Sequence, residues 1–251
     1  MSSLALSGII FALVLGGILL GTWLRSALPH HHLSKDSQDV VRLGVGLIAT
    51  IGALVLGLLI ASAKSSFDTR SGQIKQITAD IILLDGLLAE YGPAALPIRQ
   101  QMRSTVRPLV DRLWQENEEN KAAPFTFNAS AERIYLEIQA LSPQNDVQRS
   151  LQARSIQIST DLAQTRLLLF AEKDSSIPLP FIAILIFWLI IIFASFSLFS
   201  EMNATTFAFL CLFALSASCA IFLILELNDP FAGVMMISSE PLRNALGPLG
   251  P

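Results

Sequence analysis

Charge and cysteine are scarce in this chain. Only 15% of its 251 residues are charged and the formal net charge is −3, so it has no basic footprint of the kind that binding nucleic acid requires. Its two cysteines, Cys211 and Cys219, fall in one apolar run near the C-terminus. They can build neither a disulfide framework nor a thiolate zinc cluster, and read as packing residues. Catalytic signatures are missing too. There is no HExxH, GxSxG, Walker-type or GxGxxG stretch, and no His and carboxylate pair at useful helical spacing. The three histidines, His30, His31 and His32, are consecutive; neighbours in sequence do not converge on one ion, so they read as part of a polar interfacial loop. Neither an enzyme nor a cofactor or metal is expected. Alternating strand patterns are absent as well, which leaves an all-α fold.

Apolar sequence is abundant: 52% of residues are hydrophobic and the mean hydropathy is +0.56, a membrane-protein composition. Four runs are long enough to cross a bilayer as helices. The first occupies residues 1–24, before the first basic residue, Arg25. A cleaved signal would carry its basic residues ahead of a shorter apolar core, so this run reads as a retained span. Gly17 and Gly21 make a Gly-xxx-Gly packing pair in it. The second lies between Arg42 and Lys64, and the third and fourth, 175–200 and 202–225, are separated only by Glu201 and form a hairpin. None of the four has an ionisable residue in its interior, which disfavours ion-coupled transport.

The second run is the start of something longer. From Asp39 no proline occurs until Pro93, and beyond Lys64 the residues Phe67, Ile74, Ile81 and Leu88 recur every seven positions, with Ile77 and Leu84 between them. This predicts one rod from membrane into soluble layer, with Arg70 as the polar interruption of its seam. Ser34 is its candidate N-cap. In the membrane half, Gly46, Thr50, Ala53, Gly57 and Ala61 sit at steps of three or four and line one face with small side chains. Such a ridge serves either close helix packing, its commoner role, or a conduit with room for water or an ion. Arg42 and Lys64 flank it as candidate mouth charges.

Residues 65–176 form a soluble helical region with 12 Lys and Arg against 14 Asp and Glu. A helix is expected over 96–117, kinked or split at Pro108. It carries a basic stripe, Arg99, Arg103 and Arg107, that reads as a salt-bridging face. A second helix is expected over 130–141. A third is capped by Ser142 and Pro143, and on it Val147, Leu151, Ile158, Leu162 and Leu169 keep helical spacing. The organisation expected is therefore a first transmembrane pair (1–64), the soluble region (65–176), a second transmembrane hairpin (177–226) and a tail (227–251). An even number of spans puts both termini and 65–176 on one side. The excess of Lys64, Arg70, Lys75, Lys173 and Arg243 over Arg25, Lys35 and Arg42 points to the cytoplasm for that side.

Certain stretches carry a resemblance. Residues 28–34, LPHHHLS, then Gly46–Thr50, Ala53–Leu59 and Phe67-Asp68, and finally Glu226, Asn228, Asp229, Pro230, Phe231 and Gly233 after the last span, resemble the bacterial bestrophin-like domain family over nearly the whole chain. The segment after the last span is similar to the Asn-Pro-Phe-Gly sequence of bestrophins, with Asp229 and Ala232 intruding. The resemblance implies a multi-pass inner-membrane homo-oligomer, pentameric if truly bestrophin-like. It also implies passive anion conduction with the second span on the axis. The acidic run of calcium-gated members and the aromatic neck are not matched, so calcium gating does not carry over. The alternative is a non-conducting membrane scaffold or signalling module whose long helices bind a partner.

Overall fold

The computed structural model describes residues 3–29, 34–114, 129–171, 179–231 and 233–245. The three histidines, the polar break before residue 129, Pro178 and Ala232 lie outside them. Every regular element among the described residues is helical: α1 (Ser3–Ala27), α2 (Lys35–Tyr91), a 3-10 turn (Pro93–Ala95), α3 (Leu96–Trp114), α4 (Ala129–Gln139), α5 (Asp146–Ala171), α6 (Leu179–Phe199), α7 (Ala204–Asn228) and α8 (Glu240–Ala245). Four of them, α1, α2, α6 and α7, are long and apolar enough to cross a membrane. The chain divides into two compact units, Met1–Phe67 with Ser176–Asp229, and Asp68–Ser175 with Pro230–Pro251. The post-span tail thus belongs with the soluble helices.

In the membrane unit α1 packs on α6 and α7. Two buried clusters hold it. One joins Ile10, Leu59, Ala63, Leu185, Ile221, Ile224 and Leu227, and the other Val14, Ile18, Phe193, Leu210 and Ala214. Between apolar helices in lipid there is little hydrophobic drive, so close approach and hydrogen bonds decide the packing. Gly17 and Gly21 provide the approach: a Cβ at Gly17 would lie 3.2 Å from Ile190, and one at Gly21 would overlap Ser197 Oγ and the Ala194 carbonyl. At that contact Ser197 Oγ donates to the Ile18 carbonyl at 2.8 Å. Arg25 donates to the Ser200 carbonyl just past α6, and Asn203 caps α7 by accepting from Thr206 N–H at 2.8 Å. Only the short link 200–203 separates α6 from α7.

α2 runs for 57 residues, or about 85 Å at 1.5 Å per residue. It starts four residues before the expected Asp39 because Ser34 caps it. Ser34 Oγ accepts from Ser37 N–H at 3.4 Å, and its carbonyl accepts from Gln38 N–H. It stops where Gly92 takes φ 109°, a conformation open to glycine at little cost. Of the expected seam, Ile74, Ile77, Ile81, Leu84 and Leu88 are all buried, and so is Arg70.

The soluble unit narrows one expectation and corrects another. α3 continues through Pro108 as one element to Trp114. α5 begins at Asp146, not after Ser142-Pro143. Asn145 Oδ1 accepts from Gln148 N–H at 2.8 Å, and the Gln148 side chain accepts from Gln144 N–H at 2.8 Å. These two bonds sit closer to the apolar run than the Ser-Pro signal and fix the start of the helix. Val147, in the first turn, is 64% exposed, while Ile158 and Leu169 are buried. Two glutamines one turn apart on α5 close other helices. Gln148 Nε2 donates to the Tyr91 carbonyl at the end of α2 at 3.0 Å. Gln152 Nε2 donates to the Ile138 and Leu141 carbonyls behind α4 at 2.9 and 2.8 Å. Carbonyls at and just past a helix C-terminus are short of helical partners; Ile138 accepts in addition from Leu141 N–H at 3.3 Å.

Candidate functional site: the uncovered face of the second span

All five ridge residues, Gly46, Thr50, Ala53, Gly57 and Ala61, are exposed. A Cβ built at Gly46 or Gly57 meets nothing within 4 Å. The side of α2 that packs in its own unit carries Val45, Gly52, Leu59 and Ala63. At 100° per residue the ridge lies roughly 135° around the helix from that stripe. Among the described residues, no helix of the membrane unit covers the ridge. Leu43, Leu47, Leu54 and Leu58 flank it and are exposed as well.

The chemistry of this face is nearly neutral. Thr50 Oγ1 donates its proton to the Gly46 carbonyl at 2.9 Å, so the oxygen lone pairs, not the O–H, are what the hydroxyl presents outward. At one end Arg42 is exposed, with Asp39 4.0 Å away, a distance at which an exposed pair counts for little. At the other end Lys64 is exposed and its Nζ lies 5.5 Å from the centre of the Phe67 ring.

The residues after the last span form a tight loop. Glu226 is buried in the final turn of α7. The Asp229 N–H donates back to its carbonyl at 3.3 Å, and the Pro230 carbonyl accepts from Ile237 N–H at 2.8 Å. Pro230 and Ile237 are buried and Phe231 is half-buried. Gly233 has φ 91°, so the loop requires glycine there. Asn228 ends α7.

A family model for the Bestrophin-like domain matches residues 9–242. The chain belongs to the bestrophin-like family. Its fold matches crystal structures of point mutants of a bacterial bestrophin homolog from Klebsiella pneumoniae. One has a TM-score of 0.64 at 15% identity, covering 96% of both chains; another has 0.63 at 16% identity, covering 94% of this chain and 96% of that one. A further crystal structure, of a membrane protein, gives 0.67 at 16% identity over 96% and 99%. At such identities the likeness is one of fold. Comparison with curated protein sequences gives no match. The bestrophin-like chain is therefore an all-α, multi-pass membrane protein.

This bestrophin-like chain also holds charges that seam spacing alone did not reveal. Asp85 is buried on α2, and Arg99 reaches it from α3 in a bidentate pair at 2.6 and 2.8 Å. The hydrogen bond to Asp85 holds the Arg99 guanidinium above its ordinary range. Asp80 is buried with Oδ1 accepting from Gln76 Nε2 at 2.8 Å and Oδ2 without a hydrogen bond. Burial pushes its carboxyl up; the Gln76 bond pulls it down, and Asp161 adds upward pressure by like charge. Burial pushes Arg166 down. In the basic stripe, Arg99 does make the expected ion pair, but with a partner from α2. The Arg107 side chain lies outside the described residues. A shallow groove of about 470 Å³, lined by Pro97, Gln100, Gln101, Ser104, Thr105 and Arg133, lies in the soluble unit.

Proposed function

We propose that the chain is one subunit of a homo-oligomeric, passive anion pathway whose axis is lined by the small ridge of α2. The single observation that carries the reading is the exposure of Gly46, Thr50, Ala53, Gly57 and Ala61 on a helix whose opposite side is packed. A span that leaves its small residues uncovered offers them to a surface outside the protomer. A face of small residues without fixed charge suits an ion that must enter and leave readily. Arg42 and Lys64, repeated around an axis, form cationic rings that raise local anion concentration. Thr50 as bonded offers lone pairs, so anion selectivity in this reading rests on the rings and not on the hydroxyl. Family membership supports a pentamer, and the Lys and Arg distribution supports an inner-membrane protein with termini and soluble region in the cytoplasm.

Purified protein in liposomes, assayed for chloride against potassium flux, tests the reading. Gly57→Leu is expected to abolish flux while the oligomer keeps its mass, and Lys64→Glu to shift selectivity towards cations. If correctly assembled wild type passes no ion across varied pH, calcium and voltage, the non-conducting scaffold takes its place. If Gly57→Leu breaks the oligomer instead, the ridge is a packing face between copies.

A further inference from the structure

The loop that follows α7 has an apolar tip. Its base is closed by the Ile237 N–H to Pro230 carbonyl bond and both base residues are buried. Yet three consecutive large apolar residues at its far end, Val234, Met235 and Met236, are 76%, 41% and 58% exposed. Side chains of this kind in water forfeit the gain of burial, and three in a row at the end of a pinned loop make a patch, not a scatter. The covalent chain says what lies nearby. α7 crosses the membrane and ends at Asn228. Pro230, two residues on, is within about 7 Å of that end, and Val234 within roughly 20 Å. The interfacial layer of the bilayer is thus in reach of the tip by chain length alone.

The geometry points to a membrane-interface anchor: the Val234–Met236 tip inserts into the boundary between headgroups and acyl chains. It thereby fixes the depth at which the last span ends. The occupant is lipid, because the patch is continuous in sequence with an element that already lies in lipid. Charge contributes little. The nearest ionisable residues are Asp229 and Glu240 against Arg243, which gives no attraction to anionic headgroups. Insertion is driven by apolar area, as for interfacial helices.

Nitroxide labels test this on the full-length protein with Cys211 and Cys219 replaced by serine, reconstituted in phosphatidylcholine vesicles. Labels at Val234→Cys and Met236→Cys are expected to show a ratio of oxygen to nickel-chelate accessibility several-fold above Ala153→Cys, a site exposed in the soluble unit. That ratio should approach the one at Leu212→Cys in the span, and 30% phosphatidylglycerol should leave it unchanged. A ratio equal to that at Ala153 overturns the proposal. So does low accessibility to both reagents, which means a second copy or another protein covers the tip. Because a nitroxide is itself apolar, Val234→Cys is repeated with Met235→Ser and Met236→Ser. The ratio must fall towards the Ala153 value; if it stays high, the native side chains are not the anchor.

Discussion

Within its apolar window α2 is 11% buried, against 22–28% for the other three spans. Beyond Lys64 the same helix buries Ile74, Ile77, Ile81, Leu84 and Leu88 almost completely, together with Thr78, Asp80 and Asp85. The difference follows from the solvent. In lipid an exposed Leu54 or Leu58 costs nothing, so burial there reports shape and not stability, and the tight contacts are those of glycine with backbone. In water the apolar seam must be covered, and the polar groups drawn in with it must find partners. Asp85 finds Arg99. Among the described residues, the second oxygen of Asp80 accepts no hydrogen bond.

The sharpest way to break this contrast is to orphan a charge in the soluble unit. Arg99→Met leaves the buried Asp85 carboxylate uncompensated and is expected to cost about 3–5 kcal/mol. Asp85→Leu added to it should restore most of the loss. Thermal unfolding in mild detergent of the two variants and wild type reads the difference, and equal melting of Arg99→Met and wild type would contradict the pairing.

In the membrane unit the corresponding lesion is steric. Gly21→Val drives a side chain into Ser197 and the Ala194 carbonyl, with an expected loss of about 3 kcal/mol, the upper end of overpacking because backbone must move. Gly57→Val, where nothing stands within 4 Å, should leave protomer stability within about 0.5 kcal/mol. Denaturation in detergent separates the two glycines; similar losses at both would erase the distinction between packed and uncovered faces.

The smallest effect has the opposite sign. The Asp80 carboxyl is pushed up by burial, so the folded state holds its proton to higher pH than the unfolded chain does. Stability then falls as pH rises from the unfolded value, about 3.9, through the folded one, and the penalty is complete above it. Asp80→Asn keeps the bond from Gln76 and removes the charge. It should raise the melting temperature at neutral pH and flatten the decline above pH 4. A variant less stable than wild type at pH 7 would show that the carboxylate is held by something stabilising.

Much of this was legible in the sequence. Four uncharged runs, a proline-free rod and heptad apolar residues are long, repetitive signals, and the helices they predict are present, α2 starting four residues early. Gly17 and Gly21 were readable as a close-packing pair because only small residues permit it. Short-range competition was harder. Ser142-Pro143 and Asn145-x-x-Gln148 both signal a helix start, and only the hydrogen bonds from Gln148 decide between them. The Arg99 partner lay fourteen residues back, across the Gly92 turn, a pairing no single-helix rule could supply. The ridge of α2 was visible as a pattern, but its direction depends on which stripe the other spans cover, and that is a property of the fold.

One further consequence lies in how the buried stripe of α2 is spaced. Val45, Gly52, Leu59 and Ala63 step by seven, seven and four. Eighteen residues are five turns of an undistorted α-helix at 3.6 residues per turn, so the four-residue stutter returns the stripe to its starting side and the membrane half can stay straight. Arg70, Ile77, Leu84 and Tyr91 step by sevens alone. Over three such steps an undistorted helix would drift by about 60°. Thr78, Asp80 and Asp85, buried to either side of that line, widen the covered face to roughly 160° of the helix at 100° per residue, so the drift stays under cover. A single helix therefore carries two covered faces, a narrow stripe in its membrane half and a broad one in its soluble half.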